Sequence, residues 1–152
     1  MTINVLGVVG AGQMGSGIAQ VASACGLTVV MNDINDEFVE RGYKTIEKSL
    51  GRLLKKEKIT LEEQQSILGR IEASTSLEDM IRADYVVEAA TENEALKLKI
   101  FDDLDGFCKP GAILSSNTSS ISITKIAAAT KRPEKVIGMH FMNPVPLMKL
   151  VE

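Results

Sequence analysis

The chain has 152 residues, 45% of them hydrophobic and 24% charged, so it is long enough for one domain with a core and too apolar to be disordered. A net charge of −3 argues against a general nucleic-acid binder or a membrane-surface binder. The N-terminus has no basic segment, and its apolar run is too short to cross a bilayer, so we expect a cytoplasmic protein with no membrane partner. Cys25 and Cys108 form no C-x-x-C pair and predict neither a disulfide framework nor a thiolate zinc site.

A glycine-rich turn follows the first apolar run. Residues 3–9 predict a buried strand, and the apolar spacing from Met14 onward predicts a helix. Between them, Gly10, Gly12 and Gly15 form G-x-G-x-x-G in the strand–turn–helix context of a dinucleotide site. Gly10 permits the sharp turn, Gly12 lets a pyrophosphate approach the backbone, and Gly15 lets the helix pack close to the strand. An ordinary tight strand-to-helix turn is the alternative for the glycines alone.

An acidic residue ends the second predicted strand, residues 27–33. Asp33 lies 23 residues after Gly10, and dinucleotide-binding folds place an acid for the adenine ribose hydroxyls roughly 20 residues on. The same carboxylate repels a 2′-phosphate, and no arginine stands at positions 34–36, so NAD is preferred to NADP. A methyltransferase site also joins a glycine loop to an acid after strand two, but the full glycine spacing favours the dinucleotide.

A pair of helices is predicted after the second strand. Asp36 is the expected cap of a helix over residues 37–57, and Thr60 begins a capping-box sequence for a second helix that ends near Gly69. The pair forms an αα-hairpin. Ser49, Arg52 and Lys56 share one helix face by their spacing, which suits an anionic ligand; a solvated basic face is the alternative.

The rest of the chain alternates between predicted strands and helices. The strands are residues 71–74, 83–89, 112–115, 136–140 and 147–152, and the helices are residues 76–82, 94–106 and 124–129. Asn93 is the expected cap of the middle helix and Gly106 its stop, with an inward stripe of Leu96, Ile100, Phe101 and Leu104. The pattern predicts an α/β fold, a doubly wound and mostly parallel sheet with the αα-hairpin inserted after strand 2.

Polar side chains recur at the carboxyl ends of the predicted strands, where open α/β sheets bind ligands. Beside the glycine turn, they are Asp33, Glu92, Ser119, and His140 with Asn143. His140 is the one histidine in the sequence, and an imidazole suits the base that takes a hydroxyl proton as hydride leaves the same carbon. Glu152 could orient the imidazole, and Ser119 could contact the reacting oxygen. The alternatives are a structural histidine and a helix-capping serine.

Three segments carry a resemblance to a known family: residues 10–15, residues 116–120 with the sequence SNTSS, and residues 140–152 with the sequence HFMNPVPLMKLVE. The chain resembles the 3-hydroxyacyl-CoA dehydrogenases over its whole length, most closely the bacterial 3-hydroxybutyryl-CoA dehydrogenases. The resemblance implies a Rossmann domain that binds NAD and oxidises (S)-3-hydroxyacyl-CoA to 3-ketoacyl-CoA reversibly, in fatty-acid or butanoate metabolism. It also implies that His140 is the base, Glu152 its carboxylate partner and Ser119 a contact of the reacting oxygen.

The resemblance also assigns the ligand contacts. Ser49, Lys56 and Ser119 would contact the CoA substrate. The NAD contacts would be Gly10, Ala11, Gly12, Gln13, Met14, Gly15, Asp33, Glu92, Lys97, Ser119 and Asn143.

One departure from the family concerns the end of the sequence. Family members continue into a helical domain that completes the acyl-CoA cleft and carries most of the dimer contact, whereas this sequence stops at Glu152. We therefore expect residues 1–152 to be a truncated NAD-binding domain with little or no activity, and the complete enzyme to be a homodimer. The alternative is an NAD-binding module that performs no catalysis.

Overall fold

The computed structural model describes residues 2–152 and contains a six-stranded parallel sheet with spatial order β3-β2-β1-β4-β5-β6. The strands are β1 (Val5–Val9), β2 (Thr28–Asn32), β3 (Ile71–Ser74), β4 (Tyr85–Glu88), β5 (Ile113–Ser116) and β6 (Val136–Gly138). The helices are α1 (Gln13–Ala24), α2 (Asp36–Lys55), α3 (Leu61–Gly69), α4 (Glu94–Phe107) and α5 (Ile123–Ala127), and short 3₁₀ helices cover Leu77–Arg82 and Pro133–Lys135. The doubly wound fold and the hairpin of α2 and α3 after β2 are confirmed.

Both faces of the sheet are covered, which explains why its strands are continuous apolar runs. On one face, Val8, Met31 and Val87 belong to a buried cluster with Ile18 of α1 and Ile46 of α2. On the other face, strand residues join a second cluster with residues of α4, namely Val9, Val30, Val86, Leu114, Phe101 and Leu104. Neighbouring residues of each strand therefore point to opposite layers of core.

Helix caps follow the local sequence closely. Thr60 accepts from the backbone N–H of Glu63, and the Glu63 carboxylate accepts from the backbone N–H of Thr60, so the predicted capping box is confirmed. The predicted cap at Asp36 is wrong. Asn35 is extended and its side chain accepts from Phe38 N at 2.9 Å, so α2 begins at Asp36 and the cap stands one residue earlier.

Helix α4 differs from its prediction in which face is buried. Asn93 caps it as expected, by accepting from Leu96 N at 2.9 Å. The inward prediction for Leu96 is wrong, because that side chain is 42% exposed. Lys97 takes the inward position instead, one turn before Phe101 and two turns before Leu104, and all three are fully buried. The helix also ends at Phe107 rather than at Gly106.

The predicted last strand, residues 147–152, is wrong. One antiparallel bridge, between Phe141 and Val151, is all the pairing that this segment makes in the described part of the chain. The backbone N–H groups of Leu147 and Met148 both donate to the Pro144 carbonyl, at 3.0 and 3.1 Å, and so form a turn. Apolar composition alone therefore misled the prediction, since donors used in a turn are lost to a sheet.

The parallel strands bring the polar loops to one edge. The order of strands reverses beside β1, so the glycine turn after β1 and the loop after β4 flank the opening between them, where α/β sheets bind ligands. Among residues 2–152, no helix is both long enough and apolar enough to cross a bilayer.

Candidate active site

The glycine turn is built as the sequence predicts. Gly10 has a φ of 101°, and a Cβ there would lie 2.7 Å from the Ala89 carbonyl oxygen. A Cβ on Gly15 would overlap the Gly10 carbonyl oxygen, so only glycine lets α1 start this close to β1. A Cβ on Gly12 would have no described atom within 4 Å. The space above Gly12 is therefore open to a ligand that approaches the backbone.

The N-terminus of α1 has the features of an anion site. Its N-cap is Gly12, and no side chain within residues 2–152 caps it. No acidic residue stands in its first turn. The backbone N–H groups of that turn and the positive end of the helix dipole therefore remain available to a phosphate. This arrangement fits the pyrophosphate of a dinucleotide.

Asp33 lies opposite this helix end in the same cavity. The cavity has a volume of about 610 Å³, and Gly10, Ala11, Gly12 and Asp33 are among its lining residues. Asp33 Oδ2 accepts from Ala11 N, and Oδ1 accepts from Ile34 N, both at 2.7 Å. Each oxygen keeps a further lone pair, so the carboxylate is held in place yet can still accept from a ribose hydroxyl.

Glu92 and Ser119 lie on two neighbouring loops that contact each other. Glu92 Oε2 accepts from the Thr118 hydroxyl at 2.7 Å and from the Ser120 hydroxyl at 3.2 Å. Ser119, between those two residues, is exposed. Lys97 is fully buried behind the loops, with its Nζ 3.7 Å from Glu92 Oε1. In this structure Lys97 therefore faces the protein rather than the open cavity.

His140 and Glu152 form a pair just beyond β6. His140 Nδ1 lies 3.1 Å from Glu152 Oε2. Two backbone bonds of 2.8 and 2.9 Å join the same two residues, so the pairing does not depend on the side chains alone. Because an ionised carboxylate only accepts, a neutral imidazole in this contact carries its proton on Nδ1 and has the lone pair of Nε2 free. Phe141 N donates to Asn117 Oδ1 at 2.8 Å, which holds this segment beside the loop that carries Ser119.

A second cleft lies between the helices and the segment after His140. Its volume is about 260 Å³. Ser49, Arg52 and Lys56 all line it, which agrees with the prediction that they share one face of α2. Asn143 lines it from the other side, and its Oδ1 accepts from Gln13 Nε2 at 3.2 Å. The basic face of α2 therefore borders a cleft, which weakens the alternative of a merely solvated face. The described residues contain no cluster of three or more His, Cys, Asp or Glu suited to a metal ion.

The family is decided by a sequence match that covers almost the whole chain. Residues 5–152 match the model described as "3-hydroxyacyl-CoA dehydrogenase, NAD binding domain". The chain belongs to the 3-hydroxyacyl-CoA dehydrogenase family. It is the NAD-binding domain of that family, and NAD is its cofactor.

Relatives of this dehydrogenase domain agree with the match. The chain is 54% identical over 152 residues to a probable 3-hydroxybutyryl-CoA dehydrogenase of Bacillus subtilis, covering 100% of this chain and 53% of the relative. A 3-hydroxyadipyl-CoA dehydrogenase of Escherichia coli is 44% identical over 154 residues, covering 100% of this chain and 32% of the relative. The crystal structure of (S)-3-hydroxybutyryl-CoA dehydrogenase from Ralstonia eutropha superposes with a TM-score of 0.97 at 54% identity, covering 99% of this chain and 53% of that one. The chain thus spans about half the length of the 3-hydroxybutyryl-CoA relatives.

The structure of the dehydrogenase domain distributes the predicted residues over several places. The glycine turn and Asp33 share the larger cavity, whereas Gln13 and Asn143 line the smaller cleft with the basic face of α2. Sequence reasoning missed Arg41, which lines the cavity of Asp33 from α2. It also missed Glu88, a buried carboxylate at the end of β4. A glutamate inside an otherwise apolar predicted strand was the signal that could have identified it.

Proposed function

We propose that this domain, in a protein of its relatives' length, oxidises (S)-3-hydroxyacyl-CoA to 3-ketoacyl-CoA with NAD⁺ and catalyses the reverse reaction with NADH. The proposed substrate is 3-hydroxybutyryl-CoA. The observation that carries the proposal is the pair of His140 and Glu152, which leaves Nε2 of the imidazole free beside the loop of Ser119. A domain that only binds a nucleotide needs no such base.

His140 supplies the proton chemistry. Its free Nε2 takes the proton of the substrate 3-hydroxyl, and the Glu152 carboxylate stabilises the imidazolium that forms. The glycine turn and Asp33 would hold NAD⁺, which would supply the acceptor for the hydride from C3 of the substrate. In the reverse direction the imidazolium returns its proton to the 3-keto oxygen. Ser119, exposed on its loop, donates a hydrogen bond to that oxygen.

The cofactor contacts in this proposal come from several loops at the carboxyl edge of the sheet. The glycine turn of residues 10–15 and the N-terminus of α1 hold the pyrophosphate, and Asp33 accepts from the adenine ribose hydroxyls. Further NAD contacts are assigned to Glu92, Lys97, Ser119 and Asn143. These four assignments rest on the resemblance to the family. For Lys97 the structure adds only its approach to Glu92, whose Oε1 lies 3.7 Å from Lys97 Nζ.

The CoA moiety is assigned to the smaller cleft. CoA is polyanionic, and Ser49, Arg52 and Lys56 offer a hydroxyl and two cations on one wall of that cleft. Ser119 would meet the acyl end. An acyl-CoA substrate thereby lies between the basic face of α2 and the segment that follows His140.

The wider setting follows from the reaction. A 3-ketoacyl thioester is the form whose C2–C3 bond a thiol can cleave, whereas its reduction serves chain synthesis, so we assign the enzyme to fatty-acid β-oxidation or butanoate metabolism. We place it in the cytoplasm and expect the complete enzyme to be a homodimer. The acyl-CoA substrate is the proposed partner, with neither nucleic acid nor membrane among the partners.

A second candidate is an NAD-binding module without turnover of its own. It is favoured by the fact that the chain covers 53% of its B. subtilis relative, and by the 60% exposure of the Glu152 side chain. The two candidates differ in a direct assay. If residues 1–152 bind NADH but do not oxidise it with acetoacetyl-CoA, while the protein at its relatives' length does, catalysis needs the further residues.

The His140→Ala variant tests the proposed function. In the protein at its relatives' length, we expect kcat with acetoacetyl-CoA and NADH to fall by about 10²- to 10⁴-fold, the range of a positioned acid or base. NADH affinity, followed by nicotinamide fluorescence, should stay nearly unchanged because the imidazole does not line the cofactor cavity.

Glu134→Gln provides the control for that variant. Glu134 is exposed in the 3₁₀ helix before β6, at the opposite edge of the sheet, and its substitution should leave kcat unchanged. A collapse of NADH affinity in His140→Ala would make His140 structural and overturn its assignment as the base.

A further inference from the structure

The residue at the end of β4 forms a buried ion pair. Glu88 and Lys97 are both 0% exposed, and Lys97 Nζ lies 2.7 Å from Glu88 Oε1. Removing two charges from water is costly, and well-packed apolar residues often stabilise a protein as well or better. Stability alone is therefore a poor explanation for this pair, and its contacts indicate a different role.

Each carboxylate oxygen of Glu88 holds a different loop. Oε1 accepts from Ala90 N at 2.7 Å, in the loop that leads to Glu92. Oε2 accepts from the Ser116 hydroxyl at 2.6 Å, and Ser116 Oγ in turn accepts from Thr118 N at 3.2 Å. One carboxylate thereby ties the loop after β4 to the loop after β5.

Contacts nearer the surface close the same two loops upon each other. Lys97 Nζ also donates to the Ala90 carbonyl at 3.4 Å and approaches Glu92. Glu92 then accepts from the hydroxyls of Thr118 and Ser120, the two neighbours of Ser119. The buried pair and the Glu92 contacts thus define where Ser119 stands relative to the cofactor cavity.

We propose that Glu88 is a positioning residue of the dehydrogenase: through Ser116 and Ala90 it aligns the loop of Ser119 with the loop of Glu92. This inference rests on the proposed function, because it gives Ser119 a reacting oxygen to contact. Glu88 itself reaches neither substrate nor cofactor. Its effect on the reaction passes through the Ser116 hydroxyl and the Ala90 N–H group.

Two adjacent serines of β5 provide a matched test. Ser116→Ala removes the link to Glu88 Oε2 and leaves the ion pair with Lys97 intact. Ser115→Ala removes an equally buried hydroxyl from the same strand, but that hydroxyl donates to the Val86 carbonyl at 3.0 Å and lies outside the network. Both variants should lower the melting temperature by a similar amount, since each loses one buried hydrogen bond.

The activities of the two variants should diverge. In the protein at its relatives' length, we expect Ser116→Ala to lower kcat with acetoacetyl-CoA about tenfold to a hundredfold, because small misplacements of contacting groups cost that much. KM for acetoacetyl-CoA should change less than kcat, since Ser49 and Lys56, the contacts assigned to the CoA moiety, line a cleft outside this network. Ser115→Ala should keep the wild-type kcat. Glu88→Gln, which keeps the shape but removes the charge, should lower kcat at least as far as Ser116→Ala.

The outcomes separate this inference from the proposed function. Equal kcat values for the wild type and Ser116→Ala overturn the inference, and so does an equal loss of kcat in Ser115→Ala. If Ser116→Ala does not fold, the kcat of Glu88→Gln decides in the same way. A wild-type protein that reduces no 3-ketoacyl-CoA overturns the proposed function, and this inference with it.

Discussion

At the scale of a single residue, we propose that the Asp33 carboxylate sets the choice between NAD and NADP. It stands in the cavity of the glycine turn with both oxygens fixed by backbone N–H groups. Arg41 lines the same cavity, and its guanidinium lies 4.8 Å above the Phe38 ring. An arginine near this point is what accommodates a 2′-phosphate in NADP-binding relatives of the fold. We infer that preference for NAD depends on the charge of Asp33 rather than on the lack of a cation.

Asp33→Asn should shift the preference of the chain toward NADP. We expect the ratio of the Kd values for NADPH and NADH to fall about tenfold or more, because opposed like charges cost several kcal/mol and 1.4 kcal/mol is a tenfold change. Nicotinamide fluorescence titrations measure both constants.

Two further variants make this prediction specific. Asp36→Asn changes a neighbouring exposed acid in the first turn of α2 and should leave the ratio unchanged. Adding Arg41→Ala to Asp33→Asn should remove the gain in NADPH binding. An unaltered NAD preference in Asp33→Asn would show that another group excludes the 2′-phosphate.

At this scale, the spacing of residues along the sequence predicted positions in the candidate site well. The sequence did not show which side chains are buried together. Gly10 and Asp33 could be predicted because the turn and the strand that place them are short and regular. Arg41 could not, since the direction in which α2 leaves the sheet decides what it faces. Glu88 and Lys97 were missed as partners because they are nine residues apart in sequence and meet only when α4 packs on β4.

At the scale of elements, one carboxylate joins three parts of the fold at the amino edge of the sheet. Asp84, just before β4, accepts from Asn4 N and Val5 N, both at 3.0 Å, and from Lys109 Nζ at 2.7 Å. The ammonium of Lys109, and then the two backbone N–H groups, lower the pKa of Asp84 to about 2. The start of β1 and the turn after α4 are thereby attached to β4.

The stability that Asp84 contributes should depend on pH. A carboxyl with a depressed pKa stabilises the folded state above its unfolded pKa of about 3.9 and loses that effect as pH falls through its folded pKa. Asp84→Asn should therefore lower the free energy of unfolding by about 1 kcal/mol or more at pH 7. The difference from the wild type should shrink between about pH 4 and about pH 2. Urea denaturation at a series of pH values measures it.

An exposed ion pair provides the control for the Asp84 variant. Asp103 pairs with Lys99 at 2.7 Å on the surface of α4, and the Lys99 side chain is 71% exposed. Asp103→Asn should change the free energy of unfolding by less than about 1 kcal/mol, as exposed pairs usually do. If Asp84→Asn were no more destabilising than Asp103→Asn at pH 7, the proposed attachment would be wrong.

Elements with a local signal were predicted almost to the residue. The capping box of α3 and the cap of α4 at Asn93 are set by side chains three residues from their backbone partners, so sequence alone could indicate them. The segment after Pro146 lacked such a signal, and its apolar side chains favoured a strand that did not form. Apolar composition alone therefore does not show that a segment pairs as a strand.

The molecule as a whole exposes an apolar surface next to the candidate active site. We call Leu147, Met148, Leu150 and Val151 the terminal apolar patch; Leu147 is 72% exposed and Leu150 is 56% exposed. Contiguous exposed apolar surface commonly marks an interface. The patch follows the segment of His140 and Asn143 in the sequence.

Two aspartates in the terminal apolar patch should change how residues 1–152 associate. We expect the 152-residue chain to show concentration-dependent association in sedimentation velocity. Leu147→Asp combined with Leu150→Asp should abolish it, because burying an unpaired carboxylate is unfavourable. Ile81→Asp changes an equally exposed apolar residue, 59% exposed, in the 3₁₀ helix before β4 and should leave association unchanged. Association that persists in the double variant would assign the contact to another surface.

The sequence by itself determined the class of fold, the order of strands β1 to β6 and of the helices between them, the glycine turn after β1, and the family, because each depends on short-range periodicity, on glycine geometry or on contiguous motifs. Only the tertiary structure decided what these parts do together. It placed Arg41 in the cavity of Asp33, paired Nδ1 of His140 with Glu152, and made Glu88 the link between the loops of Glu92 and Ser119. Those contacts join residues that are distant in sequence, and parallel strands bring their ends to one edge only after the whole sheet has assembled.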